Sequence, residues 1–122
     1  MSERIGEGEL AVMEVLWAAS PLSAADVAER IDPARGWSDS TVKTMLGRLL
    51  GKGVLAAEED GRRYLYRPAV TREAYATGES RRLVDRLFGG RAAPLVAHLA
   101  DGDGLSADDI AELDALLKEL KR

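Results

Sequence analysis

The chain has 122 residues, 46% apolar and 31% charged, the balance of an ordinary globular protein with about one domain's worth of core. It has no cysteine, which excludes disulfides, thiolate metal sites and cysteine nucleophiles and fits a reducing compartment. No apolar run approaches the roughly 18 residues of a membrane span, and Met1–Gly6 lacks a leader-type apolar stretch, so the expected location is cytoplasmic, without membrane insertion.

The net charge of −4 hides an asymmetry. Ser40–Arg67 carries six basic residues against three acidic ones, whereas the chain from Glu73 onward carries seven basic against ten acidic. Phosphate binding answers to the local field rather than to the sum. The central segment is therefore a candidate nucleic-acid surface on an acidic protein.

In chain order, Leu10, Met13, Leu16 and Trp17 form a helical stripe over Glu7–Ala19, ended by Ser20-Pro21 because proline disfavours helix in the residue before it. Ser23 is the expected N-cap of a second helix, with Asp26 as a capping-box-like partner and Val27 and Ile31 on its apolar face. Asp32-Pro-Ala-Arg-Gly36 is turn chemistry. Ser38 caps a third helix in which Val42, Met45, Leu46, Leu49 and Leu50 make one apolar face. Gly51-Lys-Gly53 ends it.

Val54–Arg67 reads as a β-hairpin turning at Asp60-Gly61, with Pro68 stopping the second strand. After Thr71 comes a long helix with Leu83, Val84, Leu87 and Phe88, interrupted or frayed near Gly78 and closed by Gly89-Gly90. A short helix follows with Pro94 in its first turn, carrying Leu95, Val96 and Leu99. After the Asp101–Gly104 loop, Ser106 and Asp109 cap a last helix whose Ile110, Leu113, Leu117 and Leu120 form a heptad-like seam.

Three helices and a basic-tipped hairpin are the order of a winged helix-turn-helix. The expected class is mainly α with a small β-hairpin wing: a DNA-binding domain over residues 1–70 and a helical dimerisation domain over 71–122.

A recognition helix needs an apolar back and short polar or basic residues in front, which reach base edges and phosphates in the major groove. The front here carries Ser40, Thr41, Thr44, Lys43, Arg48 and the small Gly47. The competing interpretation is an amphipathic surface helix that binds nothing, and the elements on either side weigh against it. Arg62 and Arg63 are placed to grip phosphate, although Glu58, Glu59 and Asp60 beside them weaken that grip.

The lone His98 is expected as a partly buried packing or interface residue, and Asp101 with Asp103 as a solvated loop without calcium-site spacing. No catalytic constellation, metal site or cofactor motif stands out, so the chain is not expected to be an enzyme. Leu83, Leu87, Phe88, Leu95, Val96 and Leu99, with the seam Ile110, Leu113, Leu117 and Leu120, either fold back on the chain's own core or pack against a second copy. Two-fold dimers reading palindromic operators favour the second copy.

Gly8–Trp17, Trp37–Leu49, Lys52–Leu55 and Gly61–Pro68, with Phe88–Gly90, Leu95–Leu99 and Leu105–Leu113, resemble the penicillinase repressor (BlaI/MecI/CopY) family. The resemblance implies a dimeric repressor whose third helix enters the major groove. Family DNA contacts map onto Ser40, Thr41, Lys43, Thr44, Arg48 and the wing arginines. It also implies release of the operator by proteolysis in the C-terminal part, through a membrane metalloprotease sensor or another protease. Two departures stand out. The absence of cysteine removes the copper site of some members, and the bond cut in the β-lactam-responsive ones aligns with His98-Leu99 here. A small-molecule-responsive regulator and a protein-binding winged helix are the alternatives.

Overall fold

The computed structural model describes residues 4–122; Met1–Glu3, part of the N-terminus read above as lacking a leader, lie outside the described residues. Two compact units divide the chain, Met1–Tyr75 and Ala76–Arg122.

In the first unit, α1 (Glu7–Ala18), α2 (Ala24–Arg30) and α3 (Asp39–Gly51) precede a hairpin of β1 (Leu55–Asp60) and β2 (Arg63–Pro68). The expected caps form: Ser23 Oγ accepts from the Asp26 amide and Ser38 Oγ from the Thr41 amide. Between α2 and α3, Pro33–Arg35 make one 3-10 turn ended by Gly36 at φ 64°, a left-handed conformation that favours glycine. Val12, Met13, Leu16, Val27, Val42, Leu46, Leu49 and Val54 are fully buried and form the centre of the core. Val12, not Leu10 or Trp17, shares the inner face of α1 with Met13 and Leu16, since Leu10 and Trp17 lie at its margin.

A Cβ at Gly8 would sit 3.2 Å from Met45 and 3.3 Å from Trp37. The absent side chain is what lets α1 lie this close to α3.

The hairpin pairs Leu55 with Pro68 through Asp60 with Arg63, leaving Gly61 and Arg62 as a two-residue loop. Gly61 has φ 65°, a conformation a two-residue hairpin turn requires and glycine accepts. Leu22, between α1 and α2, adds a bridge on the other side of β2: its amide donates to Tyr66 O and its carbonyl accepts from Tyr66 N, at 3.1 and 2.7 Å. That pair, with Leu55 buried in the core and Tyr66 packed against it, fastens the wing to the helices and leaves β1 as the free edge.

After the hairpin, Trp17 Nε1 donates to Val70 O at 2.9 Å and Glu14 takes two hydrogen bonds from Arg72. The chain leaving β2 is thus held against α1. Thr71 then caps α4 (Arg72–Leu87), its Oγ1 accepting from the Ala74 amide.

α4 is continuous through Gly78, correcting the interruption expected there. One glycine costs a helix only about 1 kcal/mol, too little to break sixteen residues. Gly89 and Gly90, at φ 59° and 83°, close it, with both the Phe88 and Gly90 amides donating to Val84 O.

The second unit comprises α4 from residue 76, α5 (Ala92–Ala100) and α6 (Ala107–Leu120). Ser106 and Asp109 form the expected reciprocal cap on α6. Val84 is the only buried residue described in this unit. The α6 seam stays open, with Ile110 57% exposed, Leu117 52% and Leu120 71%. His98 is exposed, not packed within the chain's own core, and its ring lies 6.1 Å from that of Phe88, which leaves the interface role among its expected ones open to a partner.

Candidate nucleic-acid interface

α3 is amphipathic because its apolar residues recur every three or four positions. Val42, Leu46 and Leu49 are buried and Met45 is half-buried, while Leu50, predicted on the same face, is left partly exposed where the helix outruns the core.

The opposite face exposes Ser40, Lys43, Thr44, Gly47 and Arg48, with Thr41 half-buried at its edge. No neighbour lies within 4 Å of a Cβ built at Gly47. Nothing inside the chain requires glycine there.

The hydroxyls are not equivalent. Ser38 Oγ and Thr41 Oγ1 lie 3.1 Å apart, so Thr41 takes part in the N-cap. Thr44 Oγ1 donates its single proton to Ser40 O at 3.0 Å. Toward solvent Thr44 thus presents acceptor lone pairs and a methyl group, and Ser40 has the uncommitted hydroxyl.

The cations sort themselves similarly. Lys43, Arg62 and Arg67 make no ion pair among the described residues, and Arg48 makes none but lies in the field of Glu9. Lys52, at the C-cap of α3, is turned inward: its Nζ donates to Glu9 Oε1 at 2.7 Å and to Arg4 O at 3.0 Å.

Glu9 is 6% exposed, and its Oε1 also accepts from the Gly6 amide. Burial opposes its ionisation, but the hydrogen bonds from Lys52 and Gly6 and the charges of Lys52 and Arg48 prevail and hold its pKa below the ordinary value. Charge-assisted bonds in a poorly hydrated setting outweigh the desolvation cost in this way.

A groove of about 510 Å³ joins the two predicted contact elements. Its walls come from the start of α2 (Ser23, Ala24, Ala25), from α3 (Lys43) and from the wing (Arg62, Arg63, Tyr64, Tyr66). Lys43 and both predicted wing arginines thus border one cavity, whereas Arg48 and Ser40 are not among its walls. Such a concave surface with three cations and two phenols suits a phosphate backbone: cations supply attraction and phenolic hydroxyls supply donors.

The wing arginines differ from each other. Arg63 pairs with Asp60 at 3.2 Å, and Tyr64 donates to Glu59 at 3.2 Å. The Glu59 carboxylate, through that bond and its charge, raises the Tyr64 pKa. Arg62 is held by neither.

Sequence reasoning missed Glu9, Tyr64 and Tyr66. The hairpin register alone opposes Glu59 to Tyr64 and Asp60 to Arg63. No local signal announces Glu9, whose partner is 43 residues away.

Among the described residues no cluster of His, Asp or Glu is arranged to hold a metal, and no helix is long and apolar enough to cross a membrane.

The chain is 32% identical over 118 residues to a penicillinase repressor of Bacillus licheniformis, spanning 97% of this chain and 92% of that one. A solution structure of the DNA-binding domain of the repressor BlaI matches with TM-score 0.54 and 34% identity, over 62% of this chain and 94% of that one. The monomeric form of Bacillus licheniformis BlaI, solved in complex with the blaP half-operator, matches with TM-score 0.53 and 33% identity, over 62% and 92%. The family model described as penicillinase repressor matches residues 5–119. With its buried three-helix core, its exposed polar α3 face and its two-stranded wing, the chain belongs to the penicillinase repressor family of DNA-binding, winged-helix transcriptional repressors.

Proposed function

We propose that this protein represses transcription as a homodimer on a palindromic operator, in the cytoplasm and without a cofactor. Residues 1–70 serve as the DNA reader and 71–122 as the dimerisation module. Thr41, Lys43, Thr44 and Arg48 carry most of the sequence reading, with Ser40 beside them, and Arg62 and Arg63 mainly grip phosphate.

The observation that carries this is the exposed face of α3, which offers hydroxyls and unpaired cations and borders a cationic groove with the wing. The half-operator complex of the BlaI relative points the same way.

The dimer is supported by the second unit's shortage of core: one buried residue, with Leu87 60% exposed, Leu99 46% and the α6 seam open. Exposed apolar side chains in this number favour an association site. Leu83, Phe88, Leu95 and Leu113, half-buried, and Val96, more exposed, are assigned to the same module. Cleavage in the C-terminal part by a membrane metalloprotease sensor or another protease would end repression by removing that surface. No catalytic role is proposed.

The test is a titration of promoter DNA against random duplex at several salt concentrations, with footprinting. A two-fold footprint, tighter binding to the promoter and a steep fall in affinity with salt are expected. Salt-independent binding without a footprint would refute the reading.

A small-molecule-responsive regulator ranks second. In its favour is an open groove of about 720 Å³ lined by Leu16, Trp17, Pro68, Ala69 and Val70. Its charged groups, Glu14 and Arg72, are already paired with each other, and loss of operator binding on adding a ligand would be its signature.

A further inference from the structure

We propose that Glu59 and Asp60 are specificity-determining residues: they hold back the wing's grip on DNA in general, so that the full grip is reached only where α3 has found its operator. The proposal rests on the DNA-binding reading above and adds to it a repulsive element.

The hairpin as a whole is electrically neutral. Glu58, Glu59 and Asp60 on β1 balance Arg62, Arg63 and Arg67 in the loop and on β2. A neutral wing supplies little of the long-range attraction that drives non-specific binding.

The charges are also sorted in space. β2 lies between β1 and the Leu22 bridge, so the acidic strand is the free outer edge. The groove beside Lys43 is lined by Arg62, Arg63, Tyr64 and Tyr66, with no acidic residue among its walls. A backbone seated in that groove meets cations and phenols; one displaced toward β1 meets Glu59 on the face of Tyr64, or Glu58 and Asp60 on the face of Arg63.

Two groove residues are, in addition, tied to that acidic edge. Arg63 Nε and Nη2 both lie 3.2 Å from Asp60 Oδ2, and Tyr64 Oη lies 3.2 Å from Glu59 Oε1. These contacts are exposed, 59% and 54% for the Arg63–Asp60 pair, so they are weak and exchangeable. A phosphate correctly placed by base contacts along α3 takes over both donors. On random sequence no single register is favoured, and the acidic edge then faces phosphate in much of the ensemble. Specificity of this kind comes from penalising the wrong complex rather than from strengthening the right one.

The experiment compares wild type with Asp60→Asn, Glu59→Gln and the double variant, on operator and on random duplex, across salt. Glu112→Gln on α6 controls for the net charge of each single variant, and Glu112→Gln with Asp108→Asn for that of the double variant. The double variant is expected to bind random duplex about tenfold more tightly and operator less than threefold more tightly. Its non-specific salt dependence should steepen by about one to two counterions. Adding Arg63→Gln should abolish most of the non-specific gain, linking the effect to the cation that Asp60 holds.

Equal gains on both duplexes, no gain on either, or the same gain from the matching α6 control would overturn the proposal. Far-UV circular dichroism identifies a folding defect, and a variant that folds but binds both duplexes less tightly also counts against it. Failure of the underlying reading looks different: wild type itself would not prefer operator.

Discussion

Replacing Leu117 and Leu120 together by aspartate should separate the proposed dimer without unfolding the chain. Leu117 is 52% and Leu120 71% exposed, so little of their stabilisation comes from the chain's own packing. Fully burying a leucine side chain is worth about 1.5–3 kcal/mol, and covering the exposed half to two-thirds of each gives about 1–2 kcal/mol. Four such leucines across two chains sum to about 4–8 kcal/mol, before the cost of placing carboxylates in an apolar seam. At 1.4 kcal/mol per tenfold, the dissociation constant should rise by about three orders of magnitude or more. Leu113 is less suitable, because it also lines the groove with Val96, Leu99 and Leu105, so its loss disturbs the unit itself. The assay is sedimentation equilibrium over about three decades of concentration, with circular dichroism to confirm retained helix. An unchanged dimer would refute the assignment of this seam to a second copy.

Other outcomes follow from the first unit. Arg48→Ala should lower operator affinity by about 1–3 kcal/mol if the guanidinium reads a base, and should relax preference at one base pair; equal losses on all sequences would make it a phosphate contact. Ser38→Ala removes the hydroxyl that caps α3 and should cost about 1 kcal/mol, a drop of roughly 4–8 °C in melting temperature for a unit of this size, measured by thermal unfolding. Glu9→Gln should destabilise the protein at neutral pH. Because the pKa of Glu9 is lowered from 4.5 in the folded state, its contribution is complete above that value and disappears as pH falls through the folded value. Denaturant unfolding of the two proteins should therefore show a gap that narrows as pH falls below 4.5; a constant gap would contradict the ion-pair account.

The parts of the fold that were legible in the chain are those encoded locally. Ser23, Ser38 and Ser106 cap helices because the donor they satisfy is three residues on. The three-to-four-residue spacing of the α3 apolar face and the glycine of the hairpin turn are each encoded locally, although the loop is Gly61-Arg62, one residue on from the expected Asp60-Gly61. What escaped depends on distance or on cover. The bridge from Leu22 to Tyr66 is one residue pair, too short to leave a periodic pattern. Lys52 looks like one more cation on the flank of α3 until Glu9 arrives from α1. Leu50 is more exposed than its place in the pattern suggests, because periodicity says which residues share a face, not whether anything covers it. Gly78 was overweighted, since one glycine penalises a helix without ending it. The exposed polar face of α3 and the exposed wing arginines were legible as a set, but not the division between Thr44, whose proton is spent on Ser40 O, and Ser40, whose hydroxyl has no partner among the described residues.

The nearly coreless second unit has a bearing on how long the protein persists. Val84 alone is buried there, so α5 and α6 of a solitary chain are expected to open easily and to expose their backbone to proteases. Pairing stabilises by mass action, more as the protein becomes more abundant. A cell that makes little of it would lose it fastest, and one that makes much would keep it. Turnover would then respond to abundance with a threshold near the dimer dissociation constant, and a brief interruption of synthesis would be enough to clear the molecule.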